Sequence, residues 1–128
     1  MTSPRLGGSV LAAAALFSVA FATPAFAQVP MSTLTLTLEV PEGGLSTVRL
    51  DCDPPGGSHP EPWTACDELA TAGGDLAGLQ DEPVACTMDF RPVTASARGV
   101  WDGEVVLWEQ EFSNPCTLNA ATGTVFAF

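Results

Sequence analysis

His59 is the single histidine of the chain, and Ser46, Ser58 and Ser113 are hydroxyls that a Ser-His-Asp site would have to draw on. The setting does not suit that chemistry. His59 stands between Ser58 and Pro60 in a proline-rich stretch, and a triad is defined by geometry, not by the presence of its residue types. A structural or solvated histidine is expected. Paired carboxylates occur at Asp67-Glu68 and Asp81-Glu82, but adjacent side chains diverge, and a solvated charged surface accounts for them. A mature chain of this size leaves little room for a sugar cleft between two carboxyl groups. A calcium loop of the D-x-[DN]-x-[DN]-G type is absent from the sequence. Four cysteines, Cys52, Cys66, Cys86 and Cys116, form no C-x-x-C pair, so a structural zinc site is not expected. The reading is therefore of a non-enzyme with no catalytic residue, no metal and no cofactor. Trp63, Trp101 and Trp108 are expected in the core or against the sheet, not on a ligand platform.

One segment stands apart, from Asp81 and Glu82 through Pro83, Val84, Ala85, Cys86, Thr87, Met88, Asp89, Phe90 and Arg91 to Pro92. Proline near each end disfavours helix and favours extended chain. A cysteine pins the middle, and Met88 follows it by two residues. Such a loop is either a plain connection whose methionine fills a gap or a rigid loop offered to a partner that reads extended chain.

The elements that must hold this loop belong to a short, acidic chain. It has 128 residues, 15 acids against 4 Lys+Arg, a formal charge of −11 and 46% hydrophobic residues. That fits one globular domain rather than disorder. Lysine is missing altogether, which excludes a Walker-type phosphate loop, a Schiff-base lysine and a polybasic surface for nucleic acid or membrane. Arg5, an apolar run from Val10 to Ala22 and the Ala25-Phe26-Ala27 site read as a secretory signal peptide. The run is 13 residues, short of the ~20 a membrane span needs. Residues 1–27 are thus expected to be removed near Ala27, leaving a secreted domain of residues 28–128. Secretion turns an even number of cysteines into disulfides. Three pairings remain open by sequence, of which neighbour pairing is the simplest.

Leu34, Leu36, Leu38 and Val40 alternate with Thr33, Thr35, Thr37 and Glu39, a strand with one wet face. Val48, Leu50 and Cys52 mark a second strand. Asp53 to Pro62 must be loop. Trp63 to Ala72 predicts a helix, with Cys66, Leu69 and Ala70 on one face and Gly73-Gly74 at its exit. Asp75 is placed to cap a short turn to Leu79. Val93–Trp101 and Glu104–Phe112 flank Asp102-Gly103, a hairpin signal. Val125 to Phe128 predicts a closing strand. The fold class is α+β: a single antiparallel sheet of about five strands, with one or two helices on one face.

From Val48 to Phe128 the chain resembles the Streptomyces subtilisin inhibitor family. The matching stretches are Val48 to Cys52, Ser58-His59-Pro60, Ala65-Cys66 through Leu69-Ala70, Gly73 to Leu76, Cys86-Thr87-Met88, Gly99-Val100-Trp101, Phe112 to Cys116, and Val125 to Phe128. The resemblance implies a secreted inhibitor of subtilisin-like, or chymotrypsin-like, serine proteases. It implies disulfides Cys52–Cys66 and Cys86–Cys116, and a homodimer formed through the sheet. It places the reactive bond between Met88 and Asp89, with Met88 as the primary specificity residue. Val84, Ala85, Cys86 and Thr87 lie on its N-terminal side, Phe90 and Arg91 beyond Asp89. Asp89 is acidic where the family carries an apolar or neutral residue, and would disfavour proteases with an acidic leaving-side pocket. Thr87 stands where proline is frequent. The other reading is a secreted, non-inhibitory binding domain that keeps the fold.

Overall fold

The computed structural model describes residues 2–4, 7–9, 12–24, 28–79 and 83–128. Arg5, Val10, Ala25 to Ala27, Asp81 and Glu82 lie outside the described residues. Residues 12–24 carry no regular secondary structure, with Leu16, Phe17 and Phe21 exposed. Among the described residues no helix is long and apolar enough to cross a membrane.

Five antiparallel strands form one sheet: β1 (Ser32–Val40), β2 (Gly44–Cys52), β3 (Gly56–Gly57), β4 (Val93–Trp101) and β5 (Glu104–Phe112). Their order is β3-β2-β1-β4-β5. β1 is the centre of the sheet, between β2 and β4, and its threonine–leucine alternation turns one face to the core and the other towards water. Leu34 and Leu36 are buried and Thr35 is exposed. Asp102 and Gly103 both have positive φ, 46° and 82°, the geometry of a two-residue hairpin turn whose twist matches its strands.

The inner face of the sheet is covered by α1 (Pro62–Thr71), a 3₁₀ turn (Leu76–Gly78) and α2 (Pro115–Thr122). Helix α1 lies against β2 and β3, and α2 against β4 and β5. Between them sit Leu34, Leu36, Leu50, Leu69, Ala95, Ala97, Leu118, Val125 and Phe126, all buried. Each large aliphatic or aromatic side chain here contributes roughly 1.5–3 kcal/mol by leaving water. Asp75 caps the 3₁₀ turn by accepting from the Ala77 amide at 3.0 Å. Two disulfides close the cover, Cys52–Cys66 between β2 and α1, and Cys86–Cys116 between the loop and α2. They are the neighbour pairs.

Three local expectations fail. Val125 to Phe128 is not a strand. The Asn114-Pro115 helix start carries the chain over the sheet face instead of along its edge, and turns follow, with the Val125 amide on the Thr122 carbonyl at 3.2 Å and the Ala127 amide on the Thr124 carbonyl at 3.1 Å. Val125 and Phe126 bury themselves as lid rather than ladder. Gly56–Gly57, inside the expected loop, adds a short edge strand against Leu50 and Asp51. Trp63, expected in the core, is 74% exposed, whereas Trp101 is buried; Trp63 falls on the outer side of α1, away from Ala65, Cys66 and Leu69.

His59 is structural. It is buried, accepts from the Glu61 amide through Nδ1 at 3.0 Å, and so donates from Nε2 to the Val125 carbonyl at 3.0 Å. Both ring nitrogens are occupied by backbone, and the ring meets Phe128 edge-on.

Gly99 permits the close approach of β4 to β1. Its φ is +151°, and a Cβ there would lie 2.0 Å from the Thr33 carbonyl oxygen. Gly99→Ala should destabilise the domain by about 2–3 kcal/mol, through strain and loss of strand contact. A drop in melting temperature on the order of 10 °C in a calorimetric scan is the expected result.

Candidate functional site

The loop from Pro83 to Pro92 leaves the cover and returns to β4 without helix or strand. Its side chains point out. Met88 is 100% exposed, and Val84 and Phe90 are also exposed. An apolar side chain held fully in water has no packing duty in the free domain. The gap-filling reading of Met88 is therefore wrong for this structure.

The backbone beneath Met88 is held at several points by the stretch Ser113 to Thr117. The Cys86–Cys116 disulfide anchors one side. The Arg91 amide donates to the Ser113 carbonyl at 2.8 Å on the other. Asn114 holds the centre. Its Nδ2 donates to the Thr87 carbonyl and to the Asp89 carbonyl, both at 3.0 Å. One side-chain amide thus grips the residues before and after Met88.

Asn114 can do this because its other end is fixed. Its Oδ1 accepts from the Thr117 amide at 2.9 Å, as the N-cap of α2, and the Thr117 hydroxyl completes a capping box. The side chain is 1% exposed, so both donors and the acceptor are satisfied out of water. Asn114 is the functional residue that sequence reasoning missed. Its signal was present as Asn114-Pro115 followed by Gly123, an N-cap, N1 and C-terminal glycine pattern.

Asp89 is not an unpaired acid. Its Oδ1 accepts from the Thr87 hydroxyl at 2.5 Å and its Oδ2 from Arg91 Nε at 2.6 Å. These contacts, the Thr87 hydrogen bond foremost and then Arg91, hold its carboxyl below the usual aspartate range. The negative charge expected to face a partner is turned along the loop.

The candidate residues Val84, Ala85, Cys86, Thr87, Met88, Asp89, Phe90 and Arg91 thus share one clamped segment. All four cysteines are in disulfides. Among the described residues no group of three or more His, Cys, Asp or Glu side chains is arranged to hold a metal. His59 has both nitrogens committed elsewhere.

These features define a small disulfide-bonded domain that offers one rigid, exposed loop. A subtilisin inhibitor-like family model matches residues 30–114, and the chain belongs to that family. It is 39% identical to the subtilisin inhibitor of Streptomyces albogriseolus over 136 residues, covering 98% of this chain and 94% of that protein. It is 48% identical to subtilisin inhibitor-like protein 1 of Streptomyces cacaoi over 85 residues, covering 63% of this chain and 77% of that one. Among solved structures, Streptomyces caespitosus sermetstatin in complex with Bacillus licheniformis subtilisin matches with a TM-score of 0.62 and 33% identity, over 76% of this chain and 98% of that one. The first of these relatives is named a subtilisin inhibitor, and the sermetstatin structure is of a complex with subtilisin.

Two outcomes are expected of the free domain. Asn114→Ala removes both the cap and the loop clamp, whereas Asn114→Asp keeps a cap oxygen and loses the donors. Asn114→Ala should cost about 1 kcal/mol for the cap alone, and Asn114→Asp should also destabilise, by setting a buried carboxyl against the Thr87 and Asp89 carbonyls; NMR order parameters at residues 87–91 should fall in both. For Asp89, a lowered carboxyl means the charged form is the one held. Its contribution is fully present above the ordinary aspartate range and lost as pH falls through the lowered value. A carboxyl titration followed by NMR should place the Asp89 midpoint below the ordinary aspartate value.

Proposed function

We propose that this chain is a secreted inhibitor of subtilisin-like serine proteases, acting substrate-like through the Met88–Asp89 bond. The observation that carries the reading is a fully exposed Met88 whose two flanking carbonyls are gripped by one buried asparagine. A protease binds extended chain by main-chain hydrogen bonds and fills its pockets with side chains. Met88 fills the main pocket, with Val84 to Thr87 on one side and Asp89 to Arg91 on the other. A loop already fixed loses less conformational freedom on binding than a flexible substrate does.

Chemistry at the bond follows. The protease serine Oγ adds to the Met88 carbonyl carbon, and the Met88–Asp89 C–N bond breaks. The serine proton, carried by the protease's own base, ends on the Asp89 nitrogen. That amine cannot leave. The Asn114 clamp and the Cys86–Cys116 bridge keep it beside the acyl group at high effective concentration. It re-attacks the ester, the serine departs, and the peptide is restored.

Secretion is part of the same proposal, with residues 1–27 removed near Ala27; the apolar run from Val10 to Ala22 supports it. A homodimer is proposed through the outer face of the sheet. Val105 and Leu107 are 76% and 74% exposed there, beside Val100, and an apolar sheet face favours a cover.

Purified mature protein should abolish subtilisin activity at near-equal molar ratio; activity left intact would favour a non-inhibitory binding domain. Met88→Gly should weaken inhibition at least about tenfold, as loss of a central anchor does, with the melting temperature unchanged because the side chain packs on nothing. Met88→Lys should shift inhibition toward trypsin-like proteases. Sedimentation should give twice the monomer mass, and Leu107→Asp should give the monomer.

A further inference from the structure

Asp89 and its two partners bracket the reactive bond in a way the sequence did not foretell. Thr87 precedes Met88, Asp89 follows it, and Arg91 lies two residues further on. The Asp89 carboxylate accepts from Thr87 on one oxygen and from Arg91 on the other. A side-chain bridge therefore crosses the Met88–Asp89 peptide on top of the Asn114 clamp beneath it. Arg91 is itself fixed to the frame through its amide on Ser113, so the bridge runs from the frame, through Arg91 and Asp89, to Thr87.

Resting on the reading of this loop as protease-binding, we propose that Asp89 is a positioning residue, which ties the two sides of the reactive bond together through Thr87 and Arg91. In the acyl-enzyme, Thr87 stays on the ester side and Asp89 on the amine side. A bond between their side chains holds the amine over the ester carbonyl when the peptide between them is open. It performs the stiffening that a proline at position 87 would give, by a charge-assisted contact instead of a ring. The carboxylate is engaged along the loop by Thr87 and Arg91.

The test separates a positioning role from a pocket contact by its kinetics. Trace subtilisin is incubated with saturating intact inhibitor, and cleavage of the Met88–Asp89 bond is counted by mass spectrometry. Loss of a mere pocket contact raises the dissociation constant and leaves turnover of the saturated complex unchanged. Loss of the bridge raises turnover itself, because the amine drifts and water competes. Asp89→Ala and Asp89→Val should each raise turnover by roughly twofold to fivefold, the range that exposed charge-assisted bonds support. Asp89→Asn, which keeps an acceptor for Thr87 and loses the charge for Arg91, should fall between. Thr87→Val and Asp89→Ala should be non-additive, since they remove one interaction. Melting temperatures should fall only slightly, as loss of an exposed charge-assisted contact does.

If wild type inhibits and is nicked at Met88–Asp89, yet Asp89→Ala turns over no faster, or the two substitutions simply add, the bridge is overturned and the protease reading stands. If wild type neither inhibits nor is cut there, the protease reading falls and the bridge falls with it.

Discussion

The side chain of Asn114 is the joint on which the structure turns. With one oxygen it starts helix α2, and with one nitrogen it holds the loop on both sides of Met88. Each job orients the amide for the other. The cap fixes the amide plane, and burial makes each unmet hydrogen bond costly. Because α2 is pinned to the sheet by Leu118 and to the loop by Cys116, the rigidity of the hydrophobic core reaches the exposed apex through a few covalent and hydrogen bonds. The loop needs no core of its own.

The sheet was legible wherever a periodic pattern met a turn signal. Strands β4 and β5 end where Asp102-Gly103 required, and β1 keeps its threonines wet for the reason alternation gives. Helix α1 shifted by one residue, within the ordinary fraying of helix ends. What escaped was decided by position in space. Val125-Phe126-Ala127-Phe128 has strand composition, but an apolar run says nothing about whether it pairs at an edge or lies across a face. Trp63 looked like core by size, yet its place on α1 turns it outward.

The exposed loop was legible in outline, and the way it is held was not. Two prolines, a cysteine and Met88 marked the segment. Nothing in a linear sequence says that residue 114 would reach residues 87 and 89. Asp89 shows the same limit in reverse. Its type announced a free charge, and its carboxylate accepts from Thr87 and Arg91 along the loop. A residue's formal charge is a property of composition, whereas the direction it faces is a property of the fold.

Every tether of the loop described above is made by backbone, by a cysteine or by the Thr87–Asp89–Arg91 set. Val84, Ala85, Met88 and Phe90 carry none of it and lie exposed. The segment therefore divides into a holder and interchangeable tips. Substitution at the tips meets little folding penalty, so the exposed surface of the loop can change while the scaffold beneath it stands still.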